Sequence, residues 1–267
     1  MIESVGIIGV GHLATYIVEG LKRAEPSLEI LLSRFLGDFT ESLAERFGAT
    51  AVPDNQAVAD GTNLVLVSTR PGDIVAACES VSFRAEQTVV STAAGVTVAA
   101  LESAVSPATV VRAMPITCAA INRSPTLLYP DNPPARSLFE MIGTVHVLPD
   151  ETTFTPASVS TAYYGWVYAL ADAVISWTTE AGVPPEIARP LILETTRGAT
   201  EMGLDRPEQE LSALLNSLAT PGGITRAGLK TLEDRQSLDA WTDAMDVVLE
   251  RLRRESSQDG KDATCSQ

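Results

Sequence analysis

Three observations predict that this chain is an α/β protein, with a doubly wound sheet over residues 1–150 and an all-α domain over residues 151–254. The first is an apolar strand, Ser4 to Ile8, that runs into Gly9-x-Gly11-x-x-Ala14 and then into a helical pattern through Leu21. The second is a continuing alternation of short β-branched runs with helical stretches as far as Leu148. The third is a change at Pro149-Asp150-Glu151, past which the spacing is helical only. Strand alternating with helix, followed by helix alone, describes a largely parallel sheet with a separate helical domain.

Taken in order, the glycine-rich turn after the first strand puts backbone N–H groups at a helix N-terminus, where a pyrophosphate binds. Gly9 makes the tight turn, Gly11 admits the pyrophosphate, and Ala14 lets helix and strand pack closely. A second strand, Glu29 to Ser33, completes the βαβ unit of a Rossmann domain. In an NAD-binding protein that strand ends on a carboxylate for the ribose 2′-OH, but here it ends on Ser33-Arg34. A hydroxyl and a guanidinium suit a 2′-phosphate, so the expected cofactor is NADPH; the alternative for Arg34 is a solvated strand-end charge. Residues 38–47 and 97–104 have helical spacing. Leu64 to Ser68, Thr88 to Thr92, Thr109 to Ala113, Thr126 to Tyr129 and Thr144 to Leu148 read as strands.

In the second domain, Tyr163 to Trp177 is apolar except for Asp172. The run is too short to span a bilayer, which leaves a helix buried on nearly all sides. So small a domain covers such a helix most easily with a second copy, predicting a homodimer or higher homo-oligomer. A lone carboxylate there must face a cavity, a cation or a donor, or else be a satisfied buried aspartate bonded to a neighbouring helix. Further on, Thr220-Pro221-Gly222-Gly223-Ile224-Thr225 is a turn that delivers the chain into a helix from Ile224 to Leu238. It reads either as a glycine-rich cap or as a seat for a carboxylate or phosphate on the helix N-terminus. Residues 255–267 are polar and read as a disordered tail.

A net charge of −15 and a pI near 4.5 argue against nucleic acid as a partner. The same charge requires an anionic cofactor to be held by local groups, Arg34 and Arg70 among them. Cys78, Cys118 and Cys265 lack metal-ligand spacing and fit reduced thiols, so no metal is expected. The sequence opens directly on a strand without a basic or apolar leader, and with no membrane segment the expected location is cytoplasmic.

VGIIGVGHLA, Arg70-Pro71, VVSTAAGVTVAALE, Met114-Pro115 with Thr117, EAGVPPEIARPLILETTRGATEMG and LATPGGITRAGLKTLE are collinear segments through which the chain resembles the pyrroline-5-carboxylate reductase family. The resemblance implies a Rossmann domain followed by an all-α dimerisation domain. It also implies that Gly222, Gly223, Ile224 and Thr220 hold the carboxylate of a cyclic imine, with the Thr225 hydroxyl at the ring nitrogen. Asp172 falls where the family carries a glutamate near that nitrogen. Cofactor candidates are Gly9, Gly11, His12, Leu13, Ser33, Arg34, Thr69, Arg70, Pro71, Ala94 and Met114. The chain departs from the family at Ser160 to Trp166, where Tyr163 and Tyr164 replace small residues or proline and become candidate substrate contacts. It departs again at Ile116 and Cys118, within Met114-Pro115-Ile116-Thr117-Cys118.

Lys22, Lys230 and Lys261 do not fall where other dehydrogenase classes place their acid, and His12 and His146 read as structural. An imine can be protonated from solvent before hydride arrives, so the missing acid favours reduction of C=N. The expected reaction is NADPH-dependent hydride transfer to a small carboxylated cyclic imine, 1-pyrroline-5-carboxylate to proline. Its alternatives are a different cyclic imine or a noncatalytic NADPH-binding dimer.

Overall fold

The computed structural model describes residues 2–34 and 38–262. It divides into two compact units, one holding everything up to Ser158 together with the stretch from Leu249, the other Val159–Val248.

The first unit alternates strand and helix: β1 (Ser4–Ile8), α1 (His12–Ala24), β2 (Glu29–Ser33), α2 (Asp38–Phe47), β3 (Thr50–Val52), α3 (Asn55–Gly61), β4 (Leu64–Val67), α4 (Ile74–Glu79), β5 (Thr88–Ser91), α5 (Val98–Val105), β6 (Thr109–Met114), β7 (Ser124–Tyr129), α6 (Pro133–Glu140), β8 (Gly143–Val147) and α7 (Phe154–Ser158). The sheet order is β3-β2-β1-β4-β5-β6-β7-β8. β1 to β6 run parallel, β7 runs antiparallel to β6, and β8 is parallel to β7. The reversal at β7 follows from its connection. A short 3₁₀ turn and Asn122, at φ 56°, turn the chain back directly, whereas a parallel neighbour needs a full crossover.

Because helices cover both faces, the central strands are buried and largely apolar, and their side chains sort with period two. In β4, Leu64 and Leu66 join the cluster under α1 and α6 with Ile17, Leu21 and Phe139, while Val65 and Val67 join Val58, Ile74 and Leu101 on the other face. Gly20 lets α1 press on the turn before β7, since a Cβ there would lie 2.0 Å from the Ala119 carbonyl oxygen. β3 has only three residues at a sheet edge, and α3, α4 and α6 have seven, six and eight, about two helical turns or fewer, which is little periodicity to read in advance.

One buried charge stands in this unit. Arg112 on β6 is 3% exposed and donates to Glu151 Oε1 at 2.8 Å; the same oxygen accepts from the Val98 N–H at 2.8 Å. The Phe154 ring lies 4.1 Å under the guanidinium. Burial pushes the guanidinium pKa below its usual range, and the hydrogen bond and charge of Glu151 oppose that shift. The start of α5, strand β6 and the residues leading into α7 are thereby fastened to one carboxylate.

In the second unit, α8 (Ser160–Glu180) and α9 (Pro185–Asp205) form an antiparallel hairpin, followed by α10 (Leu211–Leu218), α11 (Ile224–Asp234) and the beginning of α12 (Asp239–Asp262). The hairpin turn is closed by Gly182 at φ 103° and by the Val183 N–H donating to the Thr178 carbonyl at 3.2 Å. Three expectations need correction. The α8 helix is not buried on nearly all sides within one chain: only Ala171 and Thr178 are buried, while Tyr168 and Trp177 are 58% and 68% exposed. Asp172 is exposed as well, so no buried carboxylate has to be compensated in the single chain. The α12 helix continues to Asp262 through residues read as a polar tail; polar residues that would not nucleate a helix can extend one already formed. Residues 263–267 lie outside the described residues.

Replacing Glu151 with alanine leaves the Arg112 charge buried without its partner. The expected loss in urea-unfolding free energy is about 2 to 4 kcal/mol, toward the low side for a buried pair because Glu151 keeps some solvent contact. A loss below about 1 kcal/mol would show that water or Phe154 alone carries Arg112.

Candidate active site

The order of the sheet reverses between β1 and β4, and the carboxyl ends of those strands diverge there into α1 and α4. A cavity of about 830 Å³ opens at this point, lined by Gly9, Gly11, His12, Asn55, Thr69 and Arg70, among others. Gly9 is at φ 84°, and a Cβ on it would lie 2.7 Å from both the backbone nitrogen and the Cγ2 of Thr69. Any side chain would push the two strand ends apart. Gly11 differs: its Cβ would meet nothing within 4 Å, so its missing side chain keeps the cradle open. It caps α1 without a side-chain hydrogen bond, and the first turn of α1 holds no acid. The first N–H groups of that 13-residue helix, including those of His12 and Leu13, have no partner within the helix. Thr69 Oγ1 is shielded from solvent and has no hydrogen-bond partner among the described residues, as suits a hydroxyl meant for a ligand.

Next to it, a cavity of about 440 Å³ is lined by Ser33, Arg34, Pro53, Asp54, Asn55 and neighbouring residues, and Asn55 borders both. Ser33 is buried, and its hydroxyl donates to Asn55 Oδ1 at 2.6 Å. Its proton is therefore committed to Asn55, which keeps its own NH₂ available. Sequence reasoning missed Asn55. The available signal was Asp54-Asn55 before a short helix, where Asp54 caps by accepting from the Ala57 N–H at 2.8 Å. Arg34 lies half-exposed, with its Nε 3.1 Å from Glu41 Oε1 at the start of α2.

Arg70 borders the larger cavity, and Pro71 starts the 3₁₀ turn after it. Leu13 turns its half-buried side chain to the core, leaving its backbone to the turn. Ala94, beyond the end of β5, and Met114, the last residue of β6, pack together with Leu127 and Phe154. Cys78 is fully buried, which pushes its thiol pKa up to about 12, so it takes no part in chemistry. Among the described residues no group of three His, Cys, Asp or Glu could hold a metal ion, and no helix is long and apolar enough to cross a membrane.

In the second unit, Thr220 to Gly223 is a turn with Pro221 at its first corner and Gly222, at φ 77°, at its second. The Gly223 N–H closes it on the Thr220 carbonyl at 2.9 Å. Gly223 then caps the 11-residue α11 without a side chain, and Ile224 is 92% exposed. The structure thus brings Thr220, Gly222, Gly223, Ile224 and Thr225 together at one accessible helix N-terminus. Tyr163 and Tyr164 are on α8 and diverge from each other. The Tyr163 ring meets Trp241 edge-on at 6.0 Å, beside Trp166 at 6.2 Å from the same indole, whereas the Tyr164 hydroxyl lies 2.7 Å from that of Tyr168. Asp172 is eight residues, roughly 12 Å of helix, beyond Tyr164.

Fold and turn together define a dinucleotide-binding α/β protein with a carboxyl-terminal helical domain in which a glycine turn leads into an accessible helix N-terminus. Residues 4–95 match the family described as NADP oxidoreductase coenzyme F420-dependent, and residues 152–255 match the family described as pyrroline-5-carboxylate reductase dimerisation. The chain is 24% identical to pyrroline-5-carboxylate reductase 2 of Bacillus subtilis, over 93% of its own length and 94% of the relative's, and 26% identical to the Mycobacterium leprae reductase, over 93% and 96%. A pyrroline-5-carboxylate reductase structure from Coxiella burnetii superposes with a TM-score of 0.82 at 25% identity, covering 96% of this chain and 99% of that one. The chain is similar to pyrroline-5-carboxylate reductases along nearly its whole length, and its helical domain matches their dimerisation family.

The two glycines of the phosphate turn are separable by experiment. Gly11→Ala should leave the melting temperature within about 3 °C of wild type while NADPH affinity in a fluorescence titration falls about tenfold or more. A variant that melts early, or one that binds NADPH normally, would remove Gly11 from the cradle.

Proposed function

We propose that the protein is an NADPH-dependent reductase of the C=N bond in a small carboxylated cyclic imine, converting 1-pyrroline-5-carboxylate to proline in the cytoplasm. The observation that carries this reading is the Thr220–Thr225 turn. Its backbone leaves the first N–H groups of an 11-residue helix exposed, with no acid in the first turn to compete for a carboxylate. The nucleotide-binding residues fit the cofactor: Gly9 gives close approach, Gly11 an open cradle, Thr69 an unpartnered hydroxyl, and Arg34 a cation beside Asn55.

NADPH, when bound, supplies the hydride, which forms the new C–H bond as the C=N π pair passes to nitrogen, already protonated from solvent. The protein's part is position and field. In this reading the turn Gly222-Gly223-Ile224, with Thr220, seats the carboxylate through the N–H groups of Gly222 and Ile224, since that of Gly223 is engaged by the Thr220 carbonyl; the Thr225 hydroxyl bonds the ring nitrogen, and Asp172 balances the iminium charge. No protein acid is required.

A second reading, a different cyclic imine, is favoured by the aromatic side chains of Tyr163, Tyr164 and Trp166. The rings of Tyr163 and Trp166 pack against Trp241, so they fill space where small residues would leave it open. Steady-state kinetics over five- and six-membered imines separates the two. A kcat/KM for 1-pyrroline-5-carboxylate near 10⁵ M⁻¹s⁻¹, about mid-range for enzymes, excludes the second reading, and no NADPH oxidation with any imine excludes both.

Thr225→Val should lower kcat/KM for the confirmed substrate about tenfold or more with NADPH affinity unchanged. Unaltered turnover would reassign Thr225 to capping. The exposed apolar surface of α8 and α9, including Leu170, Trp177, Ile187 and Leu191, is to be covered by a second copy. Light scattering at micromolar concentration should therefore give at least twice the chain mass of 28.3 kDa. A monomer would contradict the assembly.

A further inference from the structure

Arg34 already has a partner before any phosphate arrives. Its backbone is fixed at the end of β2 by its N–H donating to the Val52 carbonyl at 3.1 Å, and its Nε lies 3.1 Å from Glu41 Oε1. Glu41 stands in the first turn of α2, where the helix dipole favours an acid, so the carboxylate is held where Arg34 can reach it. The charged residues lining the adjoining cavity are Arg34 and Asp54. With Glu41 on Arg34, the charges around a 2′-phosphate are one cation and two anions. A phosphate group there must draw Arg34 away from Glu41, which a 2′-hydroxyl need not do.

On the reading of NADPH as cofactor, we propose that Glu41 is a specificity-determining residue that competes with the 2′-phosphate for Arg34 and so reduces the enzyme's preference for NADPH over NADH. Glu41 touches neither the reacting atoms nor the cofactor in this scheme; it acts through Arg34. An exposed pair of this kind is weak, but the selectivity for one phosphate group depends on few contacts, so a small competitor shifts the ratio measurably.

Isothermal titration of NADPH and of NADH into wild type, E41Q, R34A and the double variant tests it. E41Q should tighten NADPH about three- to tenfold and change NADH by less than about twofold, more so at low salt. R34A should weaken NADPH by about tenfold or more. In the R34A background the effect of E41Q should vanish, which a general structural effect of the substitution would not produce. An unchanged NADPH constant for E41Q, an equal gain for both cofactors, or a gain that survives without Arg34 would each overturn the role of Glu41 and leave the cofactor assignment standing. Failure of the wild-type protein to bind NADPH would remove the cofactor assignment and this role with it.

Discussion

The nucleotide-binding unit depends on how closely the β1–α1 turn passes the end of β4. With a Cβ at residue 9 only 2.7 Å from the Thr69 backbone nitrogen, the two strand ends could not stay in register. Because glycine removes that clash, the Ser68 N–H reaches the Ile8 carbonyl at 2.7 Å, extending the β1–β4 pairing past the strands themselves. The Ser68 hydroxyl then meets Thr92 at 2.8 Å, tying in the end of β5. Three strand ends are thereby fixed beneath the cradle, and Thr69 is placed with its hydroxyl buried but unpaired. A mobile loop could bring the same groups together only by losing entropy on binding; here that ordering is part of the fold.

Electrostatics sharpen the picture. A chain of net charge −15 repels an anionic cofactor at long range, so affinity must come from short contacts that salt screens little. Backbone N–H groups serve this well because they carry no countercharge that must first be displaced. A guanidinium is stronger but exposed to competition from nearby acids, and Arg34 meets such competition in Glu41. The glycine turn thus offers fixed dipoles, whereas the end of β2 offers a guanidinium already engaged in an ion pair.

What the sequence made legible was local. The strand, Gly9-x-Gly11 and the following helix are contiguous, and so are Thr220 to Thr225, so each reads directly as a turn that delivers the chain into a helix N-terminus. Most strands were legible because burial on both faces makes them largely apolar. What stayed hidden depends on contacts distant in sequence. The hydrogen bond from Ser33 to Asn55 spans 22 residues, and no local pattern could show that it commits the serine hydroxyl's proton to Asn55. The reversed β7 depends on a connection whose brevity matters only once β6 is placed. Tyr163 and Tyr164 are adjacent in sequence but diverge on the helix, so one meets Trp241 and the other Tyr168.

Asp172 shows how a sound local inference can concern the wrong state of the molecule. The cost of a carboxylate in an apolar helix was argued as if the helix were covered, and in the single chain it is not. That exposure leaves a different problem. Tyr168, Leu170, Val174 and Trp177 present apolar surface to water along the same helix, and α9 adds Ile187, Leu191 and Leu193. At about 25 cal/mol per Å² of apolar surface, covering even part of this area stabilises an assembly strongly, so the helical unit favours association over exposure.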